Sequence, residues 1–163
     1  MILHRIFLFT HVLSAFLYLI AHGTSMAVAF RARRETSAER VRALLDLSRS
    51  TVSVSSYMLM STIAFGVVLG FLGHWWTSPW IWLSIVILMI VLVVMFRVVV
   101  PHFHGIRNAV GLVLVNGTWE RTAPESSPDE LARALESGSP AAITAVAIGG
   151  WAVILWLMLF KPF

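Results

Sequence analysis

Four stretches of the chain are apolar for about 20 residues or more, the length that a helix needs to cross a bilayer core. They cover about residues 6–30, 52–75, 79–100 and 141–160, and the run 85–95 contains no polar residue. Because apolar residues follow one another instead of alternating with polar ones, the pattern favours helices over a transmembrane β-barrel. The first stretch is also too long for the apolar core of a signal peptide, so we expect it to be a retained helix. We predict an all-α integral membrane protein, with residues 1–163 forming one domain of four transmembrane helices in an up-down bundle.

Basic residues are concentrated in the two long connecting segments, 31–50 and 101–138. With Arg97 these segments hold ten of the twelve Lys and Arg residues, whereas the short turn at 76–78 holds none. By the positive-inside rule the long segments are cytoplasmic, so both termini are periplasmic or extracellular. The distribution predicts a multi-pass protein of a bacterial inner membrane. Tryptophans cluster at the short turn, as in an interfacial aromatic belt; they are Trp75, Trp76, Trp80 and Trp82.

The connecting segments contain local folding signals. Thr36-x-x-Glu39 matches a capping box, so 31–50 holds either a short interfacial helix or the continuation of a long helix. Ser127-Pro-Asp-Glu130 predicts a helix start and Gly138 its end. Between them, the apolar run 111–115 followed by Asn116-Gly117 indicates a small hairpin or a re-entrant piece.

Composition narrows the class of protein further. Apolar residues make up 58% of the chain and charged residues 12%, with a net charge of +4, against about 45–50% and 25% in soluble domains. These values argue against a soluble enzyme, a disordered tail and a nucleic-acid partner. The lipid bilayer is the expected partner, together with a larger membrane complex, a second copy of the chain or a quinone. Cysteine is absent, so disulfides, thiolate nucleophiles and cysteine metal sites are excluded.

Histidine is the main candidate for chemistry inside the membrane. His11 lies roughly 10 Å into the first predicted helix, and His22 is on the same face about 16 Å further along. Ionisable groups in a membrane are costly and indicate function, and imidazole is the commonest haem ligand. The 16 Å spacing suits two haems stacked across a membrane. The structural alternative for His11 is a hydrogen bond to a serine of a neighbouring helix.

Other candidates lie near the predicted helix ends. His4 and His74 are at the outer boundary, whereas His102 and His104 are at the inner one, close to Arg97. As metal ligands we consider His11, His22, His74, His102 and His104. The histidines at the ends could equally be interfacial caps, and His102 and His104 would share a metal only in extended chain. Arg97 either snorkels to the interface or holds a haem propionate. The scattered methionines suit copper or simple packing; they are Met58, Met60, Met89 and Met95.

The sequence lacks the residues that several other functions require. The four predicted helices contain no Asp or Glu, which leaves a carboxylate-based proton pump or cation transporter without its groups. Nucleotide-binding, zinc-protease and serine-hydrolase motifs do not occur. Gly66 and Gly70 form a G-x-x-x-G pattern, which is a helix-packing signal in apolar helices.

The sequence of the first helix, from His11 through Leu17-Tyr-Leu-Ile-Ala-His-Gly23 to an arginine-rich turn, resembles small bacterial four-helix membrane proteins of the copper-resistance D (CopD)-like group. Ala64-Phe-Gly-Val-Val-Leu-Gly70 and Arg97-Val-Val-Val-Pro101 also look like that group, and the likeness covers about residues 4–110. Related HemJ-type protoporphyrinogen oxidases carry an early histidine thought to hold haem. The resemblance therefore implies a haem-ligating role for His11.

Three functions remain open from the sequence. The first is a membrane protein that binds haem b and transfers electrons, with His11 as an axial ligand and His22 as a second ligand or neighbour. The second is a non-catalytic subunit of a larger respiratory or photosynthetic complex. The third is copper handling by the methionines and outer histidines.

Overall fold

The computed structural model describes residues 2–162, and long helices dominate it. Within these residues, four helical stretches are long and apolar enough to cross a membrane, as expected for a multi-pass helical membrane protein. The first two stretches are α1 (Ile2–Ala32) and α2 (Ala38–Leu72). The third is α3 (Pro79–Val94), which continues through a π-helical turn (Met95–Val99) into α4 (Val100–Ala109). The fourth is α6 (Pro140–Phe160), which follows the short helix α5 (Pro128–Glu136).

The second helix begins much earlier than the predicted residue 52. α2 starts at Ala38, so most of the arginine-rich segment 31–50 extends the transmembrane helix instead of forming a separate one. Buried residues recur through this extension at Val41, Leu45 and Ser48, and the helical repeat thus passes into the apolar stretch without a break. The predicted Thr36 capping box is wrong: Ser37 precedes the helix, and its side chain makes no capping hydrogen bond.

α1 and α2 form an antiparallel pair along their full length. The buried positions of α1 are spaced alternately by three and four residues, the repeat that keeps one seam of a helix facing a partner; they are Ser14, Tyr18, Ala21, Ser25, Val28 and Ala32. Hydroxyl pairs link the helices at 2.9 Å between Ser14 and Ser61 and at 2.8 Å between Ser25 and Thr51. Small and hydroxylic residues allow close packing and interhelical hydrogen bonds in lipid.

α3 and α6 form the second pair of long helices. Gly150 allows the close approach, because a Cβ atom there would lie 2.5 Å from Cγ2 of Val91. α6 also reaches α1, where Trp151 packs against Tyr18 with 4.9 Å between ring centroids. The bundle therefore consists of two helix pairs joined through α1 and α6.

The two ends of the described chain meet at the tryptophan turn. Lys161 Nζ lies 4.0 Å from the ring centroid of Trp75, and His4 packs edge-on to the same ring at 5.9 Å. The start of α1, the turn and the end of α6 are therefore at one end of the bundle, as an up-down arrangement requires.

At the opposite end the two long connecting segments fold together. We call α4, the hairpin after it and α5 the cap; the cap packs on the end of α1 and the start of α2. Its apolar core joins residues from all of these elements: Ala32, Val41, Leu45, Ile106, Ala109, Val110, Leu112, Leu131 and Leu135. Nine residues packed together from five elements make the arginine-rich end an ordered structure.

The run 111–115 is a hairpin strand, which decides between the two alternatives that the sequence left open. β1 (Leu112–Val115) pairs antiparallel with β2 (Thr118–Arg121). Asn116 and Gly117 connect the strands with φ values of 49° and 81°, the left-handed pair that a two-residue hairpin turn requires. The predicted capping box of α5 is confirmed, since Ser127 Oγ accepts from Glu130 N and Glu130 Oε2 accepts from Ser127 N.

The π-helical turn lies immediately before a proline. Pro101 has no N–H to donate to the carbonyl of Arg97, and its ring crowds that carbonyl. Val100 N–H instead reaches back five residues to Met95 O. A wide turn of this kind often marks a functional position in a helix.

A carboxylate holds the loop before α5 against α2. Glu125 accepts hydrogen bonds from Arg42 and from Arg121, and Arg42 also donates to Val110 O at 3.1 Å. The hydrogen bond from Arg42 lowers the pKa of Glu125 below its usual value of 4.5; partial desolvation opposes the shift, and the charges of Arg42 and Arg121 add to it.

We expect the attachment of this loop to weaken in acid. A lowered carboxylate pKa stabilises the fold above the unfolded-state value near 4.5, and this contribution is lost as the pH falls through the lower folded-state pKa. Hydrogen exchange of residues 122–127, corrected for intrinsic rates, should show faster opening below about pH 4.5. In Glu125→Gln the protection should already be low at neutral pH and should lose this acid step. An unchanged acid step in the variant would assign it to another carboxylate.

Candidate functional site

His11 lies in the seam between α1 and α2 with a defined ring orientation. Its Nδ1 is 2.8 Å from the carbonyl oxygen of Thr62, so Nδ1 carries the proton and donates it. Nε2 then bears the free lone pair. Histidines that ligate metals are typically fixed in this way, with the other ring nitrogen donating to a carbonyl or carboxylate.

Gly66 makes room for the His11 ring. A Cβ atom at Gly66 would lie 3.0 Å from His11 Cε1 and 3.3 Å from Nδ1. Gly70, one turn further along α2, leaves the same kind of space for Trp76, whose ring would be 2.9 Å from an added Cβ. The G-x-x-x-G pattern thus accommodates two aromatic rings that pack on α2.

His22 packs in an aromatic group between α1 and α6. Its ring stacks on Tyr18 with centroids 5.3 Å apart and planes 11° apart, and Tyr18 in turn contacts Trp151. The Nε2 atom of His22 is buried and has no hydrogen-bond partner within residues 2–162. The neighbouring Gly23 borders open space.

The remaining histidines are separated from one another. His102 Nδ1 is 3.1 Å from Ser137 Oγ, whereas His104 packs edge-on to Trp119 with centroids 4.9 Å apart. Both belong to the helix α4 and not to the extended chain that a shared metal would need, so they face different neighbours. His74 is in the tryptophan turn with a left-handed backbone, at the end of the molecule far from the cap.

Arg97 lies in the π-helical turn and is exposed. Within residues 2–162 it forms no ion pair. It is flanked by Phe96 and Val98, which are also exposed. Its guanidinium is therefore free to meet a lipid headgroup or a propionate near the end of α3.

The described residues contain no group of three or more His, Asp or Glu side chains that could hold a metal ion. Two grooves of about 340 Å³ open on the outside of the bundle, and neither is lined by histidine. One runs between α1 and α2, and the other follows α3 along Ile85, Met89 and Val93. The histidines are thus single groups in separate settings.

The surroundings of His11 and His22 contain residues that the sequence alone does not assign to them. Thr62, Tyr18 and Trp151 hold the two rings, and Gly66 creates the space for His11. The alternating three- and four-residue spacing from Ser14 to Ala32 is a sequence signal for the seam. No comparable signal identifies which residue of α2 lies opposite His11.

Comparison of the chain with protein-family models, with curated proteins and with solved structures gives no match.

Proposed function

We propose that this chain is a membrane protein that binds b-type haem through His11 and takes part in electron transfer. One observation carries the proposal: the Nδ1–H of His11 donates to the carbonyl of Thr62, which leaves Nε2 as the basic atom inside an apolar helix pair. A neutral imidazole with a fixed tautomer is the ligand that haem iron takes. The sequence resemblance of the first helix to CopD-like and HemJ-type proteins supports the same residue.

The residues of this chain would orient the haem ligands and surround the haem with an apolar, low-dielectric environment. Thr62 keeps the His11 ring from rotating through the hydrogen bond. His22 is a candidate ligand for a second haem, because its buried Nε2 lacks a partner within residues 2–162. Arg97, exposed and without an ion pair in the described chain, is a candidate for a propionate. Haem would supply the one-electron chemistry, with a potential set by its axial ligands and burial.

A visible spectrum of the purified full chain tests the proposal. We expect a Soret band that is lost in His11→Ala and kept in His104→Ala, a matched removal of an imidazole from the cap. A partial loss of the band in His22→Ala would assign His22 to a second haem, because the rise of roughly 16 Å between the two histidines is too long for one iron.

A colourless protein after reconstitution with haem would refute the haem proposal. If such a protein co-purified stoichiometrically with larger membrane subunits, the second function, a non-catalytic subunit, would take its place. The weak burial of α3 and its continuation supports that alternative, since only 11% of the most apolar stretch is buried within the chain.

We also propose that the cap faces the cytoplasm of a bacterial cell and that both termini lie on the other side of the inner membrane. The support is the position of the arginines: the cap and the helix ends beneath it hold most of them, whereas the opposite end carries tryptophans, Arg5 and Lys161.

A further inference from the structure

The groove between α1 and α2 leads towards a pair of arginines at the cap end. It is lined by Leu17, Ile20 and Thr24 of α1 and by Ser50, Val54 and Met58 of α2, and its walls are almost entirely apolar. Two of its hydroxyl groups bond within their own helices, Thr24 Oγ1 to Ile20 O and Ser50 Oγ to Leu47 O, and the hydroxyl of Thr51 pairs with Ser25 across the seam. The groove therefore offers an apolar surface of the kind that an acyl chain fills.

On each helix, the face that lines the groove continues towards the cap and reaches an arginine. On α1, Ala27 and Arg31 follow Thr24 at intervals of three and four residues, which places Arg31 roughly 10 Å nearer the cap. On α2, Ala43 and Arg40 precede Ser50 at intervals of seven and three residues, again on one face. The two alanines are exposed, and their small side chains leave the path open.

Glu35 shows that the two arginines converge. Arg31 Nη2 is 2.9 Å and Arg40 Nη1 is 3.6 Å from the Glu35 carboxylate. The side chain of Glu35 is only 9% exposed, whereas those of Arg31 and Arg40 are 65% and 75% exposed. Two guanidiniums share one carboxylate, so a net positive charge with free N–H donors remains at the end of the groove.

We propose that this groove and the Arg31–Arg40 pair form a binding site for one anionic glycerophospholipid of the leaflet next to the cap. An acyl chain lies along the groove, and the headgroup phosphate accepts hydrogen bonds from the arginines. The roughly 10 Å rise from Thr24 to Arg31 leaves room for the glycerol backbone between them. The site is independent of haem binding.

Spin-label electron paramagnetic resonance on the reconstituted full chain tests the site. The vesicles contain equal amounts of phosphatidylcholine and phosphatidylglycerol, and a trace of either lipid carries a spin label on its chain. A basic residue at the surface attracts an anionic lipid by about 1 kcal/mol, so we expect motionally restricted phosphatidylglycerol to be favoured about fivefold. The preference should decrease as salt is added.

Three variants distinguish this site from diffuse charge. The double variant Arg31→Gln/Arg40→Gln should abolish the preference. Glu35→Gln, which removes the shared counter-charge, should increase it about fivefold, a gain that unfolding cannot produce. The control Arg49→Gln/Arg133→Gln removes two exposed arginines from the same end and should lower the preference much less than the first double variant does.

Enlarging a side chain between the groove and Arg31 tests the acyl-chain part of the site. Ala27→Phe changes no charge but blocks the path between Thr24 and Arg31, so it should lower the preference. Equal restriction of both lipids by the unmodified chain would overturn the proposal. So would equal losses in the two double variants, since only the total positive charge would then matter.

Discussion

Replacing Gly111 by alanine should open the cap at the base of its hairpin. Gly111 has a φ of 80°, and an added Cβ would lie 2.6 Å from the backbone carbonyl oxygen of Ala123. The left-handed backbone costs about 1–2 kcal/mol for a residue with a side chain, and forcing an atom into packed structure costs about 1–3 kcal/mol more. We expect the free energy of opening of the cap to fall by about 3 kcal/mol.

Gly117 provides the matched control for this change. Its φ of 81° is nearly the same, but an added Cβ would meet no atom within 4 Å. Gly117→Ala should therefore cost only the backbone part, about 1–2 kcal/mol. Hydrogen exchange of residues 106–136 measures both variants in one assay, because it reports local opening. Equal losses would mean that the contact between Gly111 and Ala123 does not constrain the cap.

The parts of the cap that depend on neighbouring residues could be predicted from the sequence. Asn116-Gly117 indicated a tight turn, and Ser127 with Glu130 indicated the start of α5, because both signals act over two to three residues. That Leu45, Val110 and Leu131 join one apolar cluster could not be predicted. These residues are far apart along the chain, and no local pattern records which apolar faces will meet.

In the transmembrane part, too, local features could be predicted from the sequence, whereas contacts between distant residues could not. The apolar runs identified the four spans, but they placed the start of α2 at 52 because the arginines before it interrupted the run. A helix that leaves the bilayer keeps its repeat while its outer face becomes charged, so hydropathy alone underestimates its length. His11 stood out in the sequence as an ionisable group in an apolar helix, whereas Thr62 became its partner only through the register of two helices.

Replacing Gly66 by leucine should displace the His11 ring. A Cβ there would already lie 3.0 Å from Cε1 of the ring, and the remaining leucine atoms need the space that the ring occupies. The hydrogen bond to Thr62, one turn away on the same face of α2, should then be lost. Losing a group that orients a metal ligand typically lowers metal affinity 10–100-fold, and we expect a loss of about this size for haem. Overpacking should also lower the free energy of unfolding by about 1–3 kcal/mol.

Gly23→Leu is the control for Gly66→Leu, because an added Cβ at Gly23 meets no atom within 4 Å. Both changes bring the same gain in helix propensity, about 0.8 kcal/mol, so any difference between them comes from the packing on α2. Haem titration measures the loss of haem affinity. The ¹⁵N resonances of the His11 side chain measure the displacement of the ring, since they report which ring nitrogen carries the proton whether or not haem binds. If the two variants gave the same tautomer and the same haem affinity, Gly66 would not position the ring.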